Sequence, residues 1–173
     1  IADITEDVDM ILLVGSNPEE AHPVIGAQIR QAIQRGTQVV VVDPRKINLV
    51  KDSALHLQVQ AGTNVAFANG MMHVILKEGL ADRHFIEERT EGFSDLEKMV
   101  ADYTPEKVAE ICHIHPEDLI QAARMYAKAE KVPIIYCLGV TEHSTGTEGV
   151  MSMSNLAMLV GKVGKPGCGV NPL

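Results

Sequence analysis

Short unbroken apolar runs alternate along this chain with longer stretches in which apolar residues recur at helical spacing. Val8 to Val14 is the first such run, and it passes at once into Gly15-Ser16-Asn17-Pro18. A run this short, apolar nearly throughout and closed by turn-forming residues, predicts an interior strand of a parallel sheet whose carboxyl end opens into a loop. From about Ala21 to Arg35, the residues Val24, Ile25, Ile29, Ala32 and Ile33 share one face, which predicts a helix closed by Gly36. Gln38 to Val42 is β-branched after its first residue and predicts a second buried strand, completing a strand–helix–strand unit. Leu55 to Gln60 alternates apolar and polar positions, as a strand near a sheet edge does.

The remaining pattern is mostly helical. A helix is predicted from Asn64 to Lys77, followed by Arg83–Arg89, Ser94–Asp102, Pro105–Ile111 with Thr104 as its cap, and Pro116–Ala129. The charged amphipathic helices after Asp82 read as scaffold. Pro133 to Leu138 predicts another buried strand. It leads into Gly139 to Thr147, the densest polar loop of the chain, and then a helix from Glu148 to Val160. The tail from Gly161 to Leu173 is so rich in glycine that it predicts no regular structure and leads on beyond Leu173. Together these elements predict an α/β fold: a single three-layer αβα domain with a mainly parallel sheet of the dinucleotide-binding kind.

Composition narrows the partners. The 173 residues carry a formal net charge of −8 with no cluster of Lys and Arg, which argues against nucleic acid and anionic membrane surfaces. No run approaches the length of a membrane span, and the acidic amino-terminal stretch does not read as a signal peptide. The expectation is a cytoplasmic protein that binds small molecules or other protein domains. A first residue of Ile rather than Met points to a piece excised from a longer protein. Cys112, Cys137 and Cys168 are scattered with no paired spacing, which predicts reduced thiols rather than a zinc or iron–sulfur site. His113 and His115 flank one residue between two helices and read as loop and cap residues. His73 reads as an ordinary helix residue.

Candidate chemistry gathers where strands end. In open α/β sheets, ligands bind in the crevice outside the carboxyl ends of the strands, where backbone N–H groups and helix starts converge. Gly15, Ser16, Asn17 and Glu20 occupy the first such turn. Asp43 ends the second strand, placed to accept hydrogen bonds from a ribose hydroxyl or a base edge, and Arg45 is within reach of a phosphate. Asp43-Pro44 is equally a common turn pair that serves backbone geometry alone. Gly62 and Asn64 form a third turn, with Thr63 as a cap candidate. The first turn lacks the three-glycine dinucleotide fingerprint, so a nucleotide carrier other than NAD is implied.

Six motifs then carry a resemblance. They are Gly15-Ser16-Asn17-Pro18 with His22-Pro23, Val42-Asp43-Pro44-Arg45, Ala61-Gly62-Thr63-Asn64, Arg89-Thr90-Glu91-Gly92-Phe93, Gly139 through Thr147, and Gly164-Lys165-Pro166-Gly167 with Gly169-Val170-Asn171-Pro172. In this order, over essentially the whole chain, they resemble the catalytic subunits of molybdenum- or tungsten-dependent formate dehydrogenases, in the molybdopterin oxidoreductase family with dimethyl sulfoxide reductase. The resemblance implies a domain holding one of two molybdopterin guanine dinucleotides (bis-MGD). By motif position the cofactor contacts would be Gly15, Ser16, Asn17, Glu20, Asp43, Arg45, Gly62, Asn64, Leu138, Gly139, Thr141 and Glu142. It also implies a parent enzyme that oxidises formate to carbon dioxide and passes two electrons through iron–sulfur clusters to partner subunits. In such relatives a metal-ligating Cys or selenocysteine and a His lie upstream of Ile1, and an Arg follows Pro172. The iron–sulfur cysteines are also outside this stretch, so this chain alone is expected to bind cofactor together with the other domains of its subunit and to be inactive.

Two further readings share the strand and turn pattern. One is a nucleotide-carrying domain of another enzyme class, such as the middle domain of thiamine-dependent pyruvate oxidases, which would prefer adenine. The other is a structural αβα module serving only as an interaction domain.

Overall fold

The computed structural model describes residues 2–173; Ile1, on which the expectation of an excised piece rests, lies outside them. Five strands form one sheet: β1 (Met10–Val14), β2 (Gln38–Val42), β3 (Leu55–Leu57), β4 (Ile134–Tyr136) and β5 (Val170–Pro172). Their spatial order is β3-β2-β1-β4-β5, and every adjacent pair is parallel. Leu12 pairs with Val40 on one side and Ile134 on the other, so β1 is the central strand.

Alternation along the strands splits the core into two layers. Met10, Leu12, Val14, Val40, Val42, Ile134 and Tyr136 face one layer, where they meet Phe67, Met71, Met72 and Ile75 of α4 (Asn64–Lys77), Leu119, Ala122 and Tyr126 of α8 (Pro116–Lys128), and Met153 and Leu156 of α10 (Gly146–Leu159). Ile11, Leu13, Val39, Val41 and Ile135 face the other layer, against Ile29 and Ala32 of α3 (Pro23–Gln34) and Leu49 of a 3₁₀ turn. A slip of one residue in any central strand would exchange these layers, so the pattern fixes the register. The short α1 (Ala2–Thr5) precedes β1, and α5 (Arg83–Arg89), α6 (Phe93–Val100) and α7 (Pro105–Cys112) extend the thicker layer.

Several boundaries differ from the sequence reading for identifiable reasons. The first helix starts at Pro23, not Ala21, after a separate turn of helix, α2 (Pro18–Ala21). Both begin on proline, which fits the first helical position and keeps the preceding residue, Asn17 or His22, out of helical backbone. The edge strand stops at Leu57 rather than Gln60, because the Val59 N–H turns back to the Leu57 carbonyl and Gln60 N–H goes to the Cys112 carbonyl. The polar loop after β4 is not a loop throughout: Leu138–Thr141 is one helical turn, α9, and α10 starts at Gly146. Val140, buried under α10, anchors that turn. The tail, expected to be irregular, contributes β5. Ile134 N–H donates to the Gly169 carbonyl and Leu173 N–H to the Tyr136 carbonyl, and Pro172 is tolerated because the strand is at an edge. His113 adopts left-handed backbone (φ 58°) at the end of α7, and His115 occupies the cap position of α8 without a side-chain capping bond.

Candidate functional site

The strand order reverses direction at β1: the chain runs outward through β2 and β3, then returns to the other side of β1 with β4. Such a switch point splays the loops that leave the two neighbouring strands and opens a crevice between them. Here the crevice is a cleft of about 410 Å³ at the carboxyl edge of the sheet. Its floor is two glycines in contact. Gly15 has φ +55°, and a Cβ built on it would lie 2.6 Å from the Gly139 carbonyl carbon. Gly139 N–H donates to the Gly15 carbonyl at 3.1 Å. Any side chain at either position would force the loops apart.

Ten of the twelve residues singled out in the sequence line this cleft: Gly15, Ser16, Asn17, Glu20, Asp43, Arg45, Gly62, Asn64, Leu138 and Gly139. Thr141 and Glu142 do not; both are exposed, at the end of α9. Asp43 is 3% exposed. Its Oδ1 accepts the Arg45 N–H at 2.8 Å and lies 3.6 Å from the Arg45 guanidinium, whose side chain is 65% exposed. Asp43 therefore makes the tight Asx turn expected of Asp-Pro and also presents a carboxylate to the cleft. Asn64 Nδ2 donates to the Gly139 carbonyl at 3.0 Å, tying the third turn to the floor. Thr63 occupies the cap position of α4, yet its hydroxyl donates to the Gln60 carbonyl instead of capping the helix.

Two polar atoms at this edge are buried and unmatched. Ser16 Oγ and Asn17 Oδ1 find no hydrogen-bond partner among the described residues, and Ser16 is 3% exposed. Leaving such groups unpaired costs about 1–3 kcal/mol each, a cost that a polar ligand in the cleft removes. Glu19 Oε2 and His22 Nδ1, on or just after the same turn of helix, are unmatched as well. Sequence reasoning missed three polar lining residues, Gln60, Cys137 and His143. His143 Nε2 lies 3.1 Å from the Gly139 carbonyl, and only its place in the dense polar loop signalled it. Cys112 and Cys168 are buried, and burial pushes the Cys112 thiol up, whereas Cys137 borders the cleft. Among the described residues no group of three or more His, Cys, Asp or Glu is placed to hold a metal ion, and no helix is long and apolar enough to cross a membrane.

Comparison with known sequences decides the family. The profile of molybdopterin oxidoreductases matches residues 1–173. The chain belongs to that family. The F420-dependent formate dehydrogenase subunit alpha of Methanocaldococcus jannaschii is 46% identical over 168 residues, 97% of this chain and 25% of that protein. Formate dehydrogenase H of Escherichia coli is 40% identical over 168 residues, 97% of this chain and 24% of its own. Among solved structures, acetylene hydratase from Pelobacter acetylenicus superposes with a TM-score of 0.86 at 26% identity, covering 91% of this chain and 22% of that one. The chain thus spans about a quarter of the length of the curated relatives it matches. For a molybdopterin oxidoreductase the residues of the cleft fit the cofactor that the family implies: two unmatched buried polar atoms, a buried carboxylate and a glycine floor suit a polar, flat-ended ligand.

Proposed function

We propose that this chain is the part of a formate dehydrogenase alpha subunit that holds the guanine nucleotide arm of a bis-MGD cofactor carrying molybdenum or tungsten. The whole subunit oxidises formate to carbon dioxide and passes two electrons through iron–sulfur clusters to electron-transfer subunits, while this stretch binds and does not catalyse. The metal–pterin group supplies the redox centre for that reaction. The residues here supply grip and orientation. Ser16 Oγ donates to the ligand and Asn17 Oδ1 accepts from it, relieving the two unmatched atoms that carry the reading. Asp43 accepts the adjacent N1–H and N2–H donors of guanine, a pair that adenine, with N1 an acceptor, does not offer. Arg45 and Glu20 flank the opening, and Gly15, Gly62 and Gly139 let backbone approach the ligand. Asn64 holds the floor together, and Leu138, 57% exposed at the rim, offers an apolar edge. Thr141 and Glu142 meet only a part of the cofactor that extends past the cleft.

The substrate half of the reading is tested by the reading frame on either side of this stretch. A Cys or selenocysteine codon followed by His upstream, iron–sulfur cysteines before that, and an Arg soon after Pro172 are expected. Their absence removes formate as the substrate and leaves a molybdopterin oxidoreductase of another specificity.

A further inference from the structure

Charge in the cleft does not balance for an anionic ligand. Its lining carries two carboxylates, Glu20 and Asp43, and two side chains able to be cationic, Arg45 and His143. Arg45, whose guanidinium lies 3.6 Å from Asp43 Oδ1, is the one permanent cation against these two carboxylates. That leaves Glu20 on α2 facing any incoming phosphate without an offsetting charge, unless His143 supplies one. Placing a second negative group there without compensation is unfavourable, and the cheapest remedy is a proton on the imidazole.

The geometry leaves His143 free to take that proton. Its Nε2, 3.1 Å from the Gly139 carbonyl, carries the hydrogen, because a carbonyl only accepts. Nδ1 is then a bare acceptor in the neutral ring and becomes a donor when the ring is protonated. The same carbonyl also receives Asn64 Nδ2 at 3.0 Å, from a buried residue on the first turn of α4. The floor therefore stays pinned whether or not His143 keeps its own bond. The groups that share the cleft with the imidazole are Glu20 from α2, Asp43 and Arg45 after β2, Asn64 from α4 and Cys137 at the end of β4.

We infer that His143 is a phosphate-binding residue of this cleft that takes up one proton as the diphosphate of the nucleotide binds. The inference rests on the proposed dinucleotide site and deepens it. Titration calorimetry of the chain with GDP, repeated in buffers of different ionisation enthalpy, is expected to show proton uptake, and titration with guanosine none. H143Q keeps an N–H donor for the Gly139 carbonyl but holds no proton. It is expected to abolish the uptake and weaken GDP binding about three- to tenfold, the scale of one partly exposed charge-assisted contact, while leaving guanosine unchanged. H143K, permanently charged, is expected to restore GDP affinity without proton uptake, which separates a charge effect from a folding defect. GDP binding with no buffer dependence, or a dependence that survives in H143Q, overturns the assignment of His143 alone. Failure of the unsubstituted chain to bind GDP overturns the dinucleotide site itself, and His143 with it.

Discussion

The two ends of the sheet are built to different standards of hydrogen-bond completion. At the amino end, Asp9 accepts the Glu130 and Lys131 N–H groups at 3.0 and 2.8 Å, Thr37 donates to the Val8 carbonyl at 2.8 Å, and Lys162 Nζ donates to the Ala129 carbonyl and, at 2.9 Å, to that of Glu130. At the carboxyl end, Ser16 Oγ and Asn17 Oδ1 are buried with nothing to bond. Elsewhere in the thick helical layer Asn69 Oδ1 and the Tyr126 hydroxyl are also unmatched, but neither borders the cleft. The lesson is that one end of a single sheet is closed by its own loops, while the other keeps buried polar atoms that those loops do not satisfy. Scaffold and site differ here in satisfaction of polar groups rather than in fold.

The sharpest way to break this contrast is a pair of glycine substitutions. Gly15 and Gly36 both have positive φ, at the carboxyl and amino ends respectively, but a Cβ on Gly36 meets nothing within 4 Å. Gly15→Ala adds a clash with Gly139 backbone to the conformational cost, so a loss of about 2–5 kcal/mol in denaturant unfolding is expected, with disruption of the cleft floor. Gly36→Ala is expected to lose about 1–2 kcal/mol, the conformational part alone. Equal losses would mean that the two glycine loops do not press on each other. A smaller effect comes from the closed end. Asp9→Ala removes acceptors for two backbone N–H groups, and a loss of about 1 kcal/mol with unchanged GDP affinity is expected by unfolding and calorimetry. An altered affinity would show that the two ends are coupled.

The smallest effect is kinetic and uses the thiols as reporters. Cys137 borders the cleft, Cys168 is buried, and burial raises the Cys112 thiol and so lowers its thiolate fraction. Alkylation at neutral pH is expected first at Cys137, slowed several-fold by saturating GDP, with Cys112 and Cys168 unaffected by nucleotide. Protection at Cys168 instead would put the ligand at the wrong end of the sheet.

Much of this architecture is legible from residue order, and the exceptions have physical causes. Runs such as Met10–Val14 and the four valines of Gln38–Val42 are buried on both faces, so their apolar continuity marks them as interior parallel strands. The site was legible through position: residues such as Ser16, Asp43 and Asn64 follow strand ends, and a parallel sheet brings those ends to one edge. β5 was not legible, because Val170-Asn171-Pro172 among glycines has no local strand preference and pairs only because β4 offers a free edge. His143 was not assigned because a histidine in a polar loop has no periodic signature, and its approach to the Gly139 carbonyl depends on the helical turn α9 that lies between them. Thr141 and Glu142 stand outside the cleft for the same reason, since the helical turn carries them away from the floor.

The central claim is that the open end takes a guanine nucleotide, with Asp43 reading the base. Calorimetric titration of the chain and of Asp43→Ala with GDP and ADP tests it most directly. The account predicts that GDP binds more tightly than ADP, and that Asp43→Ala weakens GDP by about 1–3 kcal/mol while leaving ADP unchanged. Tighter binding of ADP, or a GDP affinity indifferent to Asp43, would contradict it and return Asp43 to the turn alone.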